Sequence, residues 1–334
     1  MKILLFKTGA IGDTIMTTPL VRQLRKNYPD AKIDYLIGTT AAQVLEGNPN
    51  INEIITFDPE IFFKKKFSEY VRLVRSMRKR SYDVIFVLDK HWIFNVAARN
   101  FRIPERIGFD RMGCEGKFLT RKAYFDGSKH EIFYYLDLLN LLCGKVDYED
   151  VKTEMAISKE DIGYANEIIK KSKLKRKIIT IAPGGANNPG QKAYSKVWSK
   201  EKYSSLVSEL IKKYDIILLG DKNDMDACNF IQQNNPKAVN LCAQTSMHQT
   251  LAIMKKSSKI ICNDTGAMHI AGCVNENIIA LFGPTDPKRF APLSKKSKHI
   301  WKSKKVLNDI YGKFTEDESR VIDWISVEDV IKCI

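Results

Sequence analysis

Short apolar runs alternating with helix-length amphipathic segments, twice over, restrict this chain more than any other feature. KILLF (2–6), AKIDYLIG (31–38), EIITF (53–57) and YDVIFVL (82–88) read as strands bounded by turn residues. Helical segments lie between and after them. One runs to about Tyr28, a basic one covers 66–80, one near 91–100 carries His91 and Trp92, and HEIFYYLDLLNLLC covers 130–143. The first helix has two plausible starts, with Asp13 as its cap, or with Thr18 as its cap and Pro19 in its first turn. The rhythm pauses in the polar stretch GKVDYEDVKTEM (144–155) and then resumes. Ser158 and Asp161 form a capping box for a helix to about Ser172, and Ser246 with Gln249 forms one for 246–256. KIITIAPGG (177–185), DIILLG (215–220), KAVNLC (237–242), KIICND (259–264) and NIIALFG (277–283) are strands, and 201–214 is a helix. Strands separated by helices pair in parallel. The predicted class is α/β, with two doubly wound domains at 1–150 and 151–334. Ligands in such sheets lie beyond the carboxyl ends of the strands, and two facing sheets would frame a cleft.

With 334 residues the chain is long for one core and suits two. No run of about 18 apolar residues occurs, so no membrane-spanning helix is expected. MKILLFKTGAIGD lacks a signal-peptide pattern, which leads to an expected cytoplasmic location. The seven cysteines have no CxxC or zinc-type spacing, so reduced thiols and no metal are expected. Cys242, Cys262 and Cys273 sit in apolar segments and read as core residues. The net charge of +15 favours an acidic partner: nucleic acid, anionic lipid or a phosphorylated substrate.

Three motifs carry chemistry. KTGAIGD (7–13) sets two glycines after the first strand, where backbone N–H groups can approach a ligand. Asp13 there is either a helix cap or a general base. PGGANNPGQKAYSKVW (183–198) offers Gly184 and Gly185, with Lys192 and Lys196 in reach, as a diphosphate cradle; an ordinary Gly-rich surface loop is the alternative. NDTGAMHIAGC (263–273) ends a strand with Asp264, Thr265 and Gly266 before a short helix, and His269 lies one turn in. LFGPTDP (281–287) ends the next strand beside it.

Together these segments resemble glycosyltransferase family nine, the heptosyltransferases of the lipopolysaccharide inner core. The likeness runs from KTGAIGDTIMTTPLVRQLRKNYPDAKIDYLI through PGG and KVW to NDTGAMHIAGCVNENIIALFGPTDP, with RIGFDR (106–111) and HEIFYYLDLL (130–139) adding to it. It implies a GT-B architecture of two Rossmann-like domains facing across a cleft. The first domain would bind the acceptor and the second the nucleotide sugar, and the last helix would be free to pack back on the first. The resemblance further implies an inverting transfer of a sugar, most often heptose from ADP-heptose, without a cofactor or metal. The acceptor would be a phosphorylated lipid-linked inner-core sugar at the inner face of the inner membrane. Asp13 matches the catalytic carboxylate, Lys196 the lysine of the K-x-W pattern, and Asp264, Thr265, Gly266 and His269 the nucleotide-diphosphate turn. Asp224 stands where the family commonly has a ribose-binding Glu. The loop from Gly185 to Lys196 is longer than usual, leaving Lys192 as a rival for the Lys196 role. Family members also use other nucleotide sugars and acceptors.

In chemical terms, one carboxylate suffices for a single inverting displacement, whereas retaining hydrolysis needs a second as nucleophile. Helix N–H groups, Thr265 and a lysine can stabilise a leaving diphosphate. The acceptor is assigned to Gly12, Lys64, Arg72, Arg121, Lys122 and His130, the basic part of the first half, against the plainer reading of a solvated face. Lys295, Lys296, Lys298, His299, Lys302, Lys304 and Lys305 surround Trp301 in a stretch that suits an anionic membrane surface or an exposed loop. A nicotinamide dehydrogenase would show GxGxxG after a strand, which neither half supplies. A nucleic-acid binder would show a recognised module, so no specific nucleic acid is expected. A catalytically dead nucleotide-binding module is disfavoured by Asp13, Asp264 and His269 occurring together.

Overall fold

The central strands are apolar along their whole length because they are covered on both faces, as parallel sheets require. In β1 (Lys2–Lys7) the four residues Ile3 to Phe6 are at most 1% exposed. A computed structural model describes the chain except Lys65, Met112, Ala186, Pro189, Gly190, Ala193 and 304–319, and gives only the backbone of Asn187, Asn188, Gln191, Lys192 and Tyr194. The chain divides into two units, Met1–Met155 and Ala156–Ile334.

The first unit continues with α1 (Ile11–Ile15), α2 (Thr18–Asn27), β2 (Lys32–Gly38), β3 (Glu53–Phe57) and α3 (Phe67–Arg80). It closes with β4 (Val84–Val87), α4 (Trp92–Asn100), β5 (Glu105–Arg111), β6 (Arg121–Phe125) and α5 (Glu131–Cys143). Its six strands are all parallel, in the order β3-β2-β1-β4-β5-β6. Neither predicted cap opens the first helix. Ala10 is the N-cap of α1, with φ +63° and no side-chain cap bond, and Asp13 lies inside the first turn. Thr18 is already helical, with Thr17 in the cap position of α2. The polar stretch 144–155 is fastened to α2. Arg22 pairs with Asp150 (2.6 Å) and Glu154 (2.7 Å), and Gln23 exchanges hydrogen bonds with the Asp147 backbone.

The second unit repeats the topology. It opens with α6 (Lys159–Lys171), β7 (Ile178–Ala182), a short hairpin of β8 (Asn187–Asn188) and β9 (Gln191–Lys192), α7 (Lys200–Leu210) and β10 (Asp215–Leu218). Then come α8 (Met225–Asn234), β11 (Val239–Asn240), α9 (Met247–Lys256), β12 (Lys259–Asn263), α10 (Gly266–Gly272) and β13 (Ile278–Phe282). The last elements are α11 (Pro287–Phe290), β14 (Lys298–Trp301) and α12 (Val327–Ile331). The sheet order is β11-β10-β7-β12-β13-β14, again fully parallel. Both capping boxes form as predicted, Ser158 with Asp161 and Ser246 with Gln249. The core of this unit surrounds Trp198, whose indole N–H donates to the Ile325 carbonyl (3.0 Å).

Over its described part the basic stretch around Trp301 is not a loop alone. It forms edge strand β14, with Ile300 buried and the Trp301 indole donating to the Gly283 carbonyl (3.0 Å). The last helix, α12, rests on α7 of its own unit, with Val330 fully buried. Among the described residues no helix is long and apolar enough to cross a membrane.

Candidate functional site

In a sheet of order 3-2-1-4-5-6, the strands on either side of the first-to-fourth junction send their loops in opposite directions, and this switch point is where ligands settle. In each unit the motifs found in the sequence lie there. In the first, the loops follow β1 and β4; in the second, they follow β7 and β12.

In the second unit the key is Asn263, the last residue of β12, which is fully buried. Its amide nitrogen donates to the Pro183 (2.9 Å) and Gly184 (3.2 Å) carbonyls. Its oxygen accepts from the Trp198 backbone N–H (3.3 Å) and the Tyr203 hydroxyl (3.0 Å). One side chain thus ties the PGG loop, the KVW turn and the β12 turn together. Next to it Asp264 is 4% exposed and bonds Lys196 Nζ at 2.8 Å. Burial opposes the Asp264 charge, but the charge and hydrogen bond of Lys196, with smaller help from Thr285 and His269, hold its pKa below the ordinary carboxylate value. Thr265 takes the N-cap position of α10 without capping it through its side chain. Its buried hydroxyl has no hydrogen-bond partner among the described residues, although buried polar groups are normally satisfied. Gly266 opens α10, and His269 lies half-buried in its last turn. Gly283 brings the β13 loop against this group, where an added Cβ would stand 2.5 Å from the Ser195 carbonyl.

Asp224 braces the cradle from the other side. Its carboxylate accepts from the Gly185 N–H (2.9 Å) and the Asp221 N–H (3.0 Å). Burial raises its pKa, those two bonds opposing and Asp221 adding to the rise. A Cβ on Gly184 would stand 1.8 Å from Asp224 Oδ1, and one on Gly185, where φ is +95°, 2.7 Å from Thr265 Oγ1. Glycine is therefore needed at both positions for the loop to lie this close. We expect Gly185→Ala to cost about 1–3 kcal/mol, by strain and overpacking together. Gly163→Ala, in α6 with nothing within 4 Å of the added carbon, should instead stabilise slightly. Equal shifts of the melting temperature in the two variants would refute this account of the cradle. Lys196 reaches Asp264, and the Lys192 side chain lies outside the described residues.

In the first unit the sequence reading missed the residues beneath Asp13. Lys7, the last residue of β1, is 1% exposed. Its Nζ lies 2.9 Å from Asp89 Oδ1 and 3.9 Å from Asp13 Oδ2. Asp89 also accepts from the Thr8 N–H (2.6 Å) and hydroxyl (2.8 Å), fixing the start of the turn. Burial works against the Lys7 charge, but Asp89, Tyr135 and Asp13 prevail and hold its pKa well above normal. Lys90 is half-buried, ion-paired with the fully buried Glu131 and set over the rings of Phe125 (4.9 Å), Tyr135 (5.3 Å) and Phe109 (5.8 Å). Asp13 itself is open, its side chain 38% exposed. A lysine ending a strand beside a Gly-rich turn was a visible signal. The pairing with Asp89 needed the β1–β4 adjacency, which no local pattern gives.

The other residues assigned to the acceptor do not all gather around Asp13. Gly12 adjoins it in α1, and Lys64, bonded to Glu60 (2.5 Å), follows β3 on the same sheet edge. Arg72 lies exposed in mid-α3. Arg121 and Lys122 stand on edge strand β6, three strands from β1, or roughly 14 Å at the usual strand spacing. There Arg121 pairs with Glu105 (2.6 Å) and Lys122 with Asp110 (2.5 Å). His130 is 5% exposed and caps α5, its Nδ1 accepting from the Ile132 N–H (3.3 Å).

Comparison with known proteins fits this framework. The model of glycosyltransferase family 9 (heptosyltransferase) matches residues 70–311. Lipopolysaccharide heptosyltransferase 3 of Escherichia coli is 26% identical over 306 residues, 87% of this chain and 86% of that protein. The solved E. coli ADP-heptose lps heptosyltransferase II superposes with a TM-score of 0.78 at 24% identity, covering 100% of this chain and 97% of that one. An E. coli heptosyltransferase solved with ADP-2-deoxy-2-fluoro heptose gives a TM-score of 0.71 at 15% identity, over 99% and 98% of the two chains. These structural likenesses identify the two doubly wound units as those of the GT-B fold. The family match spans well over half of the sequence, and this chain is therefore a member of glycosyltransferase family 9, an enzyme that transfers glycosyl groups.

Proposed function

We propose that this enzyme transfers heptose, with inversion, from ADP-heptose to a lipopolysaccharide or lipooligosaccharide inner-core acceptor. The strongest support is the β12 turn: a buried hydroxyl without a partner among the described residues, at Thr265, next to the buried Lys196–Asp264 pair and under the two glycines of the PGG loop. A diphosphate supplies the acceptor oxygens that Thr265 and the remaining Lys196 N–H groups lack among the described residues. Relatives of this fold are named for ADP-heptose and lipopolysaccharide, and one was solved with an ADP-heptose analogue. In this reading Gly184, Gly185, Lys196, Asp264, Thr265, Gly266 and His269 hold the diphosphate, with Lys192 as a further candidate, and Asp224 takes the ribose. Asp13 removes the proton of the acceptor hydroxyl as it attacks the anomeric carbon, and the C–O bond to the diphosphate breaks on the opposite face. Lys7 keeps a fixed positive charge beside Asp13 and orients it. Of the residues assigned to the acceptor, Gly12, Lys64 and His130 follow strand ends on the Asp13 edge. The reading carries with it a cytoplasmic enzyme, peripheral at the inner membrane face, where nucleotide sugar and lipid-linked acceptor meet.

The test is a melting panel of ADP, GDP, UDP, CDP and NAD without added metal, followed by transfer from ADP-heptose to a truncated inner-core acceptor. A ligand at about 100 times its Kd should stabilise by roughly 2.7 kcal/mol. We expect selective stabilisation by ADP. Thr265→Val, which removes only the orphan hydroxyl, should leave the unliganded protein as stable or more so and shrink the ADP response. Stabilisation by GDP or UDP alone would replace the donor, and a Thr265→Val protein answering ADP like the parent would remove the assigned site.

A further inference from the structure

All seven cysteines are free, and two of them meet beneath the donor cradle. Cys228 lies in α8 and is fully buried. Cys242 follows β11, on which α8 packs, and is 5% exposed. The Cys228 thiol donates to the Cys242 sulfur. Around this pair runs the turn from Leu219 to Asp224. Cys242 Sγ donates to the Asp221 carbonyl (3.1 Å), and Cys228 Sγ lies 3.9 Å from the Leu219 carbonyl oxygen. A Cβ on Gly220 would stand 2.7 Å from Asp224 Cβ and 3.1 Å from Cys242 Sγ, so both side chains pack on the same bare glycine. Asp224 is the N-cap residue of α8 and stands one turn before Cys228, on the same helix face. Its carboxylate is what holds the Gly185 N–H (2.9 Å).

The thiolate is the reactive form of a cysteine, and a neighbouring donor makes it available. The hydrogen bond from Cys228 lowers the Cys242 pKa, with burial, Asp224 and Asp221 opposing; the same bond, together with burial, pushes Cys228 up. Cys242 is thus the attacking sulfur and Cys228 the resolving one. We propose that Cys228 and Cys242 are a modification site, where a peroxide forms a reversible disulfide that frees Gly185 from Asp224. The Cys242 thiolate attacks one oxygen of hydrogen peroxide and the O–O bond breaks. Cys242 becomes a sulfenic acid, and the departing hydroxide takes up the proton Cys242 had lost, giving water. The Cys228 sulfur then attacks Cys242, the S–O bond breaks, and a second water leaves with the Cys228 proton. Two thiols lose two electrons and one peroxide gains them. The sulfurs of a disulfide stand about 2.05 Å apart, well inside hydrogen-bond range, and carry no hydrogen. The Asp221 carbonyl therefore loses its thiol donor, and the first turn of α8 is drawn toward Cys242 with Asp224 on it. The bond from Gly185 to Asp224, 2.9 Å in the reduced chain, is lost once that shift takes it past about 3.5 Å. The effect on nucleotide binding rests on the donor-site reading above; the effect on the loop itself does not.

The full chain is treated with hydrogen peroxide, with and without later dithiothreitol, then unfolded, alkylated and mapped by peptide mass. We expect a Cys228–Cys242 link that removes two of the seven alkylatable thiols, and its complete reversal by dithiothreitol. With no ligand present, amide hydrogen exchange at Gly185 should run about tenfold faster in the disulfide form, the fold-change that one hydrogen bond to a charged group supports. ADP should bind the disulfide form about tenfold more weakly for the same reason. A reduced chain that ignores ADP would remove the donor reading, while the link and the Gly185 exchange would still decide this proposal. Cys228→Ala should form no link and should let dimedone trap Cys242 as its sulfenic acid. The parent measurements stand on their own if that variant fails to fold. Peroxide that leaves both thiols free would overturn the proposal. So would links confined to other cysteines, or a disulfide form whose Gly185 exchange is unchanged.

Discussion

Asp13→Asn should lower kcat by about 10²- to 10⁴-fold, the usual cost of losing a general base, while ADP still raises the melting temperature as in the parent. The structure makes this a clean substitution. Asp13 is not the N-cap of α1, its side chain is 38% exposed, and its only ion-pair partner among the described residues, Lys7, keeps the closer Asp89. If the carboxylate served only the first turn of α1, its removal would cost about 0.3–1 kcal/mol of stability and leave turnover alone. The two readings thus part on turnover. A base gives a large fall in kcat with a small melting shift; a dipole partner gives the small melting shift with normal turnover. Transfer within a few-fold of the parent rate would end the catalytic assignment.

What the sequence made legible follows from where each strand sits. KILLF, IITIA and IIALF lie inside their sheets, and from Ile3 onward they are buried on both faces and apolar except for Thr180, whose hydroxyl is bonded to Ser257. The strands that escaped notice carry charge for the reason that hid them. β5 holds Asp110 and Arg111 near its end, β6 begins with Arg121 and Lys122, and β14 begins with Lys298 and His299. β6 and β14 close their sheets, and charged side chains on an edge discourage further pairing. α8 was missed for a related reason, since only Cys228 and Ile231 of its residues are fully buried and the apolar pattern is thin. The site divides in the same way. Gly185, Asp264 and Thr265 could be found because glycines and a polar turn after a strand are local signals. Asn263, Asp89 and Glu131 could not, because their work is done on partners 41 to 82 residues away in the chain.

Lys196→Met is the substitution expected to cost the most stability. It leaves the Asp264 carboxylate, 4% exposed, without the ammonium 2.8 Å away. Breaking one partner out of a buried pair costs about 3–5 kcal/mol, which lowers the melting temperature by on the order of 10 °C in a chain of this size. The pH dependence fixes the cause. In the parent the Asp264 pKa is depressed, so the pair's contribution is complete above the unfolded carboxylate value of about 3.9 and is lost as pH falls through the lower folded value. In the variant, burial alone acts and pushes the pKa up. That destabilisation is present at neutral pH and is relieved as acid protonates the carboxyl. The gap between the two proteins should therefore narrow from pH 7 towards about pH 4; a constant gap, or none at neutral pH, would contradict the pairing. Lys196→Met/Asp264→Leu separates fold from ligand. With both charges gone it should recover most of the lost stability, since apolar replacement of a buried pair is commonly neutral or better. It should still fail to respond to ADP, because the ammonium that meets the diphosphate is gone. A stable double variant that binds ADP like the parent would leave Lys196 as a partner of Asp264 and nothing more.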